Sequence, residues 1–302
     1  MSRLRALAAS WLVTGRRAIV VEVTEVRGSV PRETGTRMLV AQQQLAGTIG
    51  GGHLELKAIE QARALLAGAP DVACTTRFPL GPALGQCCGG IVNLRFAPLD
   101  ADALQAWPVR PPRFELQLFG AGHVGRAIVR ALAPLPVRVA WIDEREEEFP
   151  EQLFDGEPAW PEHIRRVCVD AVEAEVRVAP PGAFYLVLTH QHDLDLRISE
   201  EILRRGDFGF FGLIGSRTKR QRFIHRFERR GIDPEAIARM TCPIGVPGID
   251  GKEPEVIAAA VVAQLLQASS DASSPPAAAP GTAGRMDTSC GTAGEAQALA
   301  HG

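Results

Sequence analysis

The sequence GAGHVG at residues 120–125 restricts the fold of this chain more than any other feature. It follows a predicted strand, Phe114–Phe119, and opens a predicted helix, His123–Leu132, which is the context that gives a G-x-G-x-x-G motif its meaning. The first glycine permits the tight turn, the second lets the backbone approach a phosphate, and the third lets the helix pack against the strand. Because the helix N-terminus also offers unpaired N–H groups, the motif predicts a Rossmann-like domain that binds an anion or a nucleotide.

The chain after residue 114 alternates between strand and helix patterns, which is typical of a parallel α/β sheet. Asp143 ends the second predicted strand about 20 residues beyond the motif, where such domains place a carboxylate that binds a ribose. The alternative is a Rossmann fold kept for packing, with no bound dinucleotide. The further predicted elements are strands at Val137–Ile142, Phe184–Leu188 and Phe208–Ile214, and helices near Ser199–Arg205, at Arg217–Arg230 and at Glu255–Gln267.

The first hundred residues have a mixed pattern, with one amphipathic helix that follows Gly50–Gly52 and ends at Gly68. The predicted strands are Ala18–Val26, Arg37–Ala41, Gln44–Ile49, Val72–Arg77 and Ile91–Phe96. We therefore predict a smaller α+β domain over residues 1–106, a proline-rich linker at 107–113 and the Rossmann-like domain at 114–268. Residues 269–302 are mostly Ala, Gly, Ser, Thr and Pro, which predicts a disordered tail.

The composition excludes several classes of protein. The 302 residues carry a net charge of −2, and this balance gives no indication of nucleic-acid binding. No apolar run approaches the ~18–20 residues of a membrane helix, and the N-terminus lacks the pattern of a secretory signal, so we expect a cytoplasmic protein. None of the six cysteines has the C-x-x-C spacing of a zinc ribbon, and we expect free thiols.

Three loops of the first domain carry candidate binding groups. RGSVPRETG at 27–35 contains Arg32, which could grip a phosphate with two N–H groups. GTIGGGHLE at 47–55 suits an anion-binding nest, or a flexible turn with Glu55 in the first turn of a helix. GQCCGG at 85–90 places two thiols among glycines, which favours a soft metal or sulfur transfer over two small buried residues at a turn.

Two loops of the second domain follow predicted strands. THQHDLD at 189–195 has a metal-like H-x-H spacing, but metal binding is the less favoured interpretation. The alternatives are polar contacts to a ligand, or a polar loop with Asp193 or Asp195 near a helix cap. GLIGSRTKR at 212–220 predicts a second phosphate site at Ser216 and Arg217. The alternative is that Ser216 only caps the helix and the cations, Lys219 among them, form a solvated face. A loop at 242–251, rich in Pro and Gly, is expected to shape turns, with Cys242 as a small buried residue.

Seven segments, in order along the chain, resemble the XdhC/CoxI family of molybdenum-cofactor accessory proteins. They are RGSVPRETGTRMLV, GTIGGGHLE, LGQCCGG, LFGAGHVGRA, THQHDLD, GLIGSRTKR and CPIGVPGIDGKEPEVIA, which cover most of residues 19–268. The adjacent cysteines and the chain length most resemble the XdhC branch. His53 stands where part of the family has Cys, so no ligand role is carried over to it.

The resemblance implies a non-catalytic accessory role. Such proteins bind the pterin-based molybdenum cofactor, molybdopterin, protect it during sulfuration and deliver it to the molybdenum subunit of xanthine dehydrogenase. A cysteine desulfurase is the implied sulfur donor, and a homodimer is compatible with the resemblance. The expected binding residues are Gly120, Gly122, His123, Gly125, Asp143, Arg32, Gly51, Gly52, Cys87, Cys88, His190, Asp195, Ser216 and Arg217, with Cys87 and Cys88 also as metal ligands.

Three other functions stay open on the residues alone. Residues 120–125 with Asp143 also suit an NAD(P)-dependent oxidoreductase or a nucleotide-binding regulatory module. The chain has no Tyr-x-x-x-Lys pair for hydride chemistry, and its single tyrosine, Tyr185, lies within a predicted strand. A metal-dependent hydrolase would use His190, His192 and Asp193, although the sequence offers few further ligands downstream.

Overall fold

The structure, a computed structural model, describes residues 3–68, 73–80, 90–108, 111–154 and 160–273. Its N-terminal part forms an antiparallel five-stranded sheet in the order β3-β2-β1-β5-β4. The elements of this part are α1 (Arg3–Val13), β1 (Ala18–Arg27), β2 (Arg37–Ala41), β3 (Leu45–Gly47), α2 (Gly52–Ala67), β4 (Cys74–Pro79), β5 (Ile91–Pro98) and α3 (Ala101–Gln105).

Alternation along β1 explains why helices cover both faces of this sheet. Ile19 and Val21 are buried in one cluster with Leu54 of α2. Val20 points the other way and is buried with Trp11 of α1. Because successive side chains of a strand face opposite sides, a strand covered on both sides is apolar at nearly every position.

The C-terminal part forms a parallel six-stranded sheet in the order β11-β10-β9-β6-β7-β8. Its elements are β6 (Glu115–Phe119), α4 (His123–Leu132), β7 (Arg138–Asp143), β8 (Ile164–Cys168), α5 (Glu175–Val178), β9 (Phe184–Val187), α6 (His192–Arg205), β10 (Phe210–Leu213), α7 (Arg217–Arg229), α8 (Pro234–Ala238), β11 (Met240–Thr241) and α9 (Pro254–Ser273). Short 3₁₀ turns lie at Glu146–Glu148 and Val172–Ala174.

This strand order makes the second sheet a doubly wound Rossmann sheet. The chain starts at β6 in the middle, adds β7 and β8 on one side, and then returns to add β9, β10 and β11 on the other. Leu186 of β9 packs on the side of α4 and α9, whereas Val187 packs on the side of α6 and α7. The predicted fold class, a Rossmann-like parallel sheet preceded by a smaller mixed α+β part, is confirmed. The order of strands reverses between β6 and β9, where such sheets bind their ligands.

Several boundaries differ from the predictions. The helix predicted near Ser199–Arg205 begins earlier, at His192, so the second half of THQHDLD is helical. Its acidic first turn favours a helix start but carries no apolar periodicity. The strand predicted at Val72–Arg77 lies at Cys74–Pro79, and that predicted at Gln44–Ile49 is only Leu45–Gly47.

Two structural features near the predicted domain ends also differ from the sequence patterns. Helix α9 continues to Ser273, past the predicted end at Gln267 and into the stretch predicted to be disordered. The hydroxyls of Ser269 and Ser270 donate to the carbonyl of Leu266, at 2.8 and 3.0 Å, as serine often does within a helix. Trp107, the first residue of the predicted linker, is buried in the N-terminal part. Residues 274–302 lie outside the described ranges.

Candidate functional site

The turn between β6 and α4 shows why two of its glycines are required. Gly120 has φ +122°, and a Cβ atom there would lie 2.3 Å from the carbonyl oxygen of Leu188. At Gly125 a Cβ atom would lie 2.1 Å from the carbonyl oxygen of Gly120. The first glycine therefore makes the turn and the third allows helix α4 to pack against it, as the motif predicts.

Gly122 is different, because the fold itself does not require a glycine there. It is the N-cap of α4 with φ −67°, which any residue adopts. A Cβ atom at this position would have no described atom within 4 Å. The turn therefore leaves an open approach to the backbone at the N-terminus of α4, where an anion would be stabilised by the helix dipole. His123 follows as the first helical residue and is exposed.

Asp143, at the end of β7, is buried and engaged by the protein itself. Its Oδ2 accepts from the Ala121 N–H at 2.6 Å and from Arg145 Nη2 at 3.0 Å. Its Oδ1 accepts from the Arg145 N–H and Nε, both at 3.0 Å. Burial alone would raise the pKa of Asp143, but the hydrogen bonds from Arg145 and Ala121 outweigh it and hold the pKa below its ordinary value. The carboxylate thus ties the glycine turn to β7.

A crevice lies at the reversal of strand order, and we call it the switch-point crevice. It brings together three predicted site residues, Gly120, Asp143 and His190. His190 Nε2 lies 3.6 Å from Glu144 Oε1, so side chains from the ends of β7 and β9 meet at this edge. The lining residues are Phe119, Gly120, Ile142, Asp143, Glu144, Val172, Thr189, His190 and Leu194.

A buried ion pair joins the next two strand ends. Lys219 Nζ donates to Asp195 Oδ2 at 2.6 Å and to the Ile214 carbonyl at 2.8 Å. Asp195 Oδ1 accepts from the Thr189 N–H at 2.9 Å and from its hydroxyl at 2.7 Å. The interpretation of Lys219 as part of a solvated face is therefore wrong, since Asp195 draws it into the protein as its counter-ion. The pair fixes the start of α6 against the start of α7.

Ser216 and Arg217 start helix α7 next to this ion pair. The Ser216 hydroxyl accepts from the Lys219 N–H at 3.2 Å, so Ser216 acts as the helix cap. Arg217 is exposed. Cys242 is buried nearby, as expected, with its Sγ 4.0 Å from the Ser216 carbonyl oxygen. Burial raises the pKa of the Cys242 thiol, although Lys219 and Arg220 partly oppose this.

The glycine-rich turn before α2 already holds an anion, which is the chain's own Glu55. Glu55 Oε2 accepts from the N–H groups of Ile49 and Gly51, at 3.0 and 3.1 Å, and from the Thr48 hydroxyl at 2.5 Å. The predicted nest geometry is present, with Glu55 in the first turn of α2 as its occupant. Gly52, at φ +65°, is the first residue of that helix.

The loops of the N-terminal part meet beside this turn. A Cβ atom at Gly50 would lie 2.6 Å from Pro31 Cβ and 3.3 Å from Arg32 Cγ, so the loop with Arg32 packs on the glycine-rich turn. A Cβ atom at Gly90 would lie 2.3 Å from the Ser29 carbonyl oxygen. Gly90 also accepts from the Leu80 N–H at 2.7 Å, so both residues that flank 81–89 are anchored here. Cys87 and Cys88 themselves lie outside the described residues.

Within the described ranges, no three His, Cys, Asp or Glu side chains are grouped so as to hold a metal ion. His192 and Asp193 are exposed residues of the first turn of α6. The metal role predicted for Cys87 and Cys88 falls outside these ranges and stays a prediction.

In the parts of the chain that the structure describes, no helix is long and apolar enough to cross a membrane.

Two ion pairs escaped the sequence analysis. Arg145 pairs with Asp143. Because it lies only two residues after this strand-end carboxylate, the sequence could have indicated the pair. Lys219 pairs with Asp195, but the two are 24 residues apart and only the parallel order of β9 and β10 brings them together. Tyr185 is buried in the core, where burial raises its pKa, and does not line the switch-point crevice.

Comparisons with known proteins find matches over both parts of the chain. The model of the XdhC and CoxI family matches residues 11–78, and that of the XdhC Rossmann domain matches residues 116–265. An uncharacterized protein of Escherichia coli (strain K12), YqeB, is 30% identical over 260 residues, which are 84% of this chain and 44% of YqeB. The chain therefore spans less than half the length of that curated relative.

A solved structure shares the fold. A crystal structure described as a xanthine dehydrogenase from Bacillus halodurans matches 93% of this chain and 98% of that chain, with a TM-score of 0.70. The sequence identity is 20%, so this likeness concerns the fold alone.

Proposed function

Because this chain belongs to the XdhC and CoxI family, we propose that it is an accessory protein that binds the molybdenum cofactor and delivers it to a xanthine dehydrogenase. Family membership supports the coarser part, a role in xanthine dehydrogenase maturation. Protection of the cofactor during sulfuration, and transfer to the molybdenum subunit, are the finer parts of the proposal. The protein acts as a carrier and turns over no substrate of its own.

The observation that carries the proposal is the anchoring of the cysteine segment beside the loop with Arg32. The cysteine segment, residues 81–89, is flanked by Leu80 and Gly90. These two residues are hydrogen-bonded to each other, and Gly90 packs against the Ser29 carbonyl. The segment that contains Cys87 and Cys88 is therefore bounded by residues that lie beside the loop with Arg32. Thiolates are ligands for soft metals, and arginine is suited to a phosphate, so this set matches the two ends of a phosphorylated pterin dithiolene.

The chain also offers a phosphate position in its Rossmann part. Gly122 leaves the backbone at the start of α4 open, because no described atom occupies the place of a Cβ. When bound, the cofactor supplies the molybdenum centre and the terminal sulfur that the acceptor enzyme needs. The residues of this chain hold its phosphate at a helix N-terminus or at Arg32, and shield its oxidisable end with Cys87 and Cys88.

The proposal includes its partners and location. The molybdenum subunit of xanthine dehydrogenase is the acceptor, and a cysteine desulfurase is the sulfur donor. Exchange of cofactor between these proteins takes place in the cytoplasm, where thiols stay reduced. A homodimer, in which the two parts of different protomers share one cofactor, is compatible with this role.

Cysteine variants test the proposal directly. We expect Cys87→Ala and Cys88→Ala to retain less molybdenum per chain than the parent after anaerobic purification from cells that make the cofactor. Cys168→Ala is the matched control, because it removes an exposed thiol from the end of β8. Equal molybdenum content in the parent, both single variants and the double variant would contradict thiol involvement.

Delivery needs a separate measurement. Loaded protein mixed with purified apo xanthine dehydrogenase should restore xanthine oxidation in proportion to the cofactor supplied. Free cofactor at the same concentration is the control. Equal activation by both would contradict a delivery role, even if the chain binds the cofactor.

A further inference from the structure

Asp143 occupies the position at which a Rossmann domain binds a ribose, yet it has no acceptor site left to offer. An ionised carboxylate has about four lone-pair sites, two on each oxygen. All four are filled by the Ala121 N–H, the Arg145 N–H and two atoms of the Arg145 guanidinium, at 2.6 to 3.0 Å. The Asp143 side chain is 3% exposed. A ribose diol would have to displace the two guanidinium bonds.

Arg145 is equally committed, so it cannot serve a 2′-phosphate instead. Its Nε and Nη2 face Asp143, and its Nη1 lies 3.1 Å from Glu148 Oε1. Glu148 is also bound by Arg126 Nη2 at 2.6 Å. Glu144 lines the switch-point crevice on the same side. A 2′-phosphate would therefore meet carboxylates rather than an available cation.

We propose that Arg145 is a specificity-determining residue that closes the ribose subsite of the switch-point crevice against NAD(H) and NADP(H). A phosphate monoester that lacks an adenosine ribose does not need the acceptor sites of Asp143, so this pair does not exclude it. The identity of the accepted ligand rests on the proposed function, whereas the rejection of dinucleotides rests only on Asp143 and Arg145.

The test is a titration of the full chain with NADH and NADPH, followed by calorimetry and by nucleotide fluorescence. The parent should show no saturable binding below millimolar concentration. Arg145→Ala frees the two acceptor sites of Asp143 and the space of the guanidinium, and should bind NADH at least about tenfold more tightly than the parent. The double variant Asp143→Asn/Arg145→Ala should lose that gain, because an amide is a poorer acceptor for a diol.

Two controls keep the result interpretable. Arg138→Ala removes one positive charge from the other end of β7, where exposed Arg138 pairs with Glu115, and should bind NADH no better than the parent. Arg145→Lys keeps a cation but loses the two-pronged contact, so its gain should lie between those of the parent and Arg145→Ala. If Arg145→Ala fails to fold, Arg145→Lys replaces it in the test.

Either of two results would overturn the proposal. One is micromolar binding of NADH or NADPH by the parent, and the other is no gain for Arg145→Ala or Arg145→Lys over Arg138→Ala. Failure of the proposed function looks different. If the parent retains no molybdenum and binds no dinucleotide, the result contradicts the carrier role but agrees with a closed ribose subsite.

Discussion

At the scale of single residues, Gly122 and Gly125 have different roles in the same turn. Gly125→Ala places a Cβ 2.1 Å from a backbone oxygen that cannot move without distorting β6, so we expect a loss of about 1–3 kcal/mol in the free energy of unfolding. Gly122→Ala meets no described atom within 4 Å and should change stability by less than about 0.5 kcal/mol. Urea unfolding of both variants checks this.

The same pair also separates stability from binding. If Gly122 is kept small for a ligand, Gly122→Val should fold like the parent but retain less cofactor. A Gly122→Ala protein as unstable as Gly125→Ala would show that both glycines serve packing alone.

Asp143 gives a residue-scale prediction about pH. Its pKa in the folded protein lies below the ordinary value, since hydrogen bonds from Arg145 and Ala121 outweigh burial. Its contribution to stability is therefore present above the unfolded-state pKa and is lost as pH falls through the folded-state pKa. Asp143→Asn should destabilise the protein at neutral pH, and the difference from the parent should shrink in acid. Thermal melts across this range measure it, and a difference that grew with acidity would contradict the assignment.

At the scale of elements, the ion pair between Asp195 and Lys219 holds α6 and α7 together. Lys219→Met leaves a buried carboxylate without its cation, and such losses cost about 3–5 kcal/mol. Adding Asp195→Asn should recover part of this loss, because the uncompensated charge is then gone. Chemical unfolding of the single and double variants provides the measurement.

An exposed pair of the same kind is the control for that experiment. Lys57 and Glu60 lie 2.8 Å apart with side chains 46% and 53% exposed, so Lys57→Met should cost at most about 1 kcal/mol. Similar small losses for Lys219→Met and Lys57→Met would mean that the buried pair does not fix the two helices.

Elements with a strong apolar period were predictable, and weakly patterned ones were not. The strand over Glu115–Phe119 and the helix over His123–Leu132 follow from apolar runs and the glycine turn between them. Strand β8 was missed because its burial alternates irregularly and its middle residues, Arg165 and Arg166, are exposed. The first turn of α6 was missed because its residues before Leu194 are polar.

The sequence predicted which residues lie at the candidate site, but not which groups they bind within the protein. The sequence analysis placed Gly120, Asp143 and His190 at or just after predicted strands, and the carboxyl ends of parallel strands lie along one edge of a sheet. Which groups satisfy each carboxylate depends on contacts across the fold. Glu55 in its own nest and Arg145 on Asp143 show that two apparent ligand groups are used internally.

At the scale of the whole molecule, family matches cover residues 11–78 and 116–265, and the described structure supplies a sheet for each. The antiparallel part holds Arg32 and the anchors of the cysteine segment, and the parallel part holds the glycine turn and the switch-point crevice. The proposed carrier role therefore requires the molecule with both parts present.

The most direct test of that role is the ligand content of the intact chain. The protein is co-expressed with cofactor biosynthesis, purified without oxygen, and analysed for molybdenum and for released pterin. We expect nearly one molybdenum and one pterin per binding site, with both reduced in the Cys87→Ala/Cys88→Ala variant. Absence of both ligands from the parent, together with micromolar binding of NAD(P), would contradict the carrier role and favour a dinucleotide-dependent function.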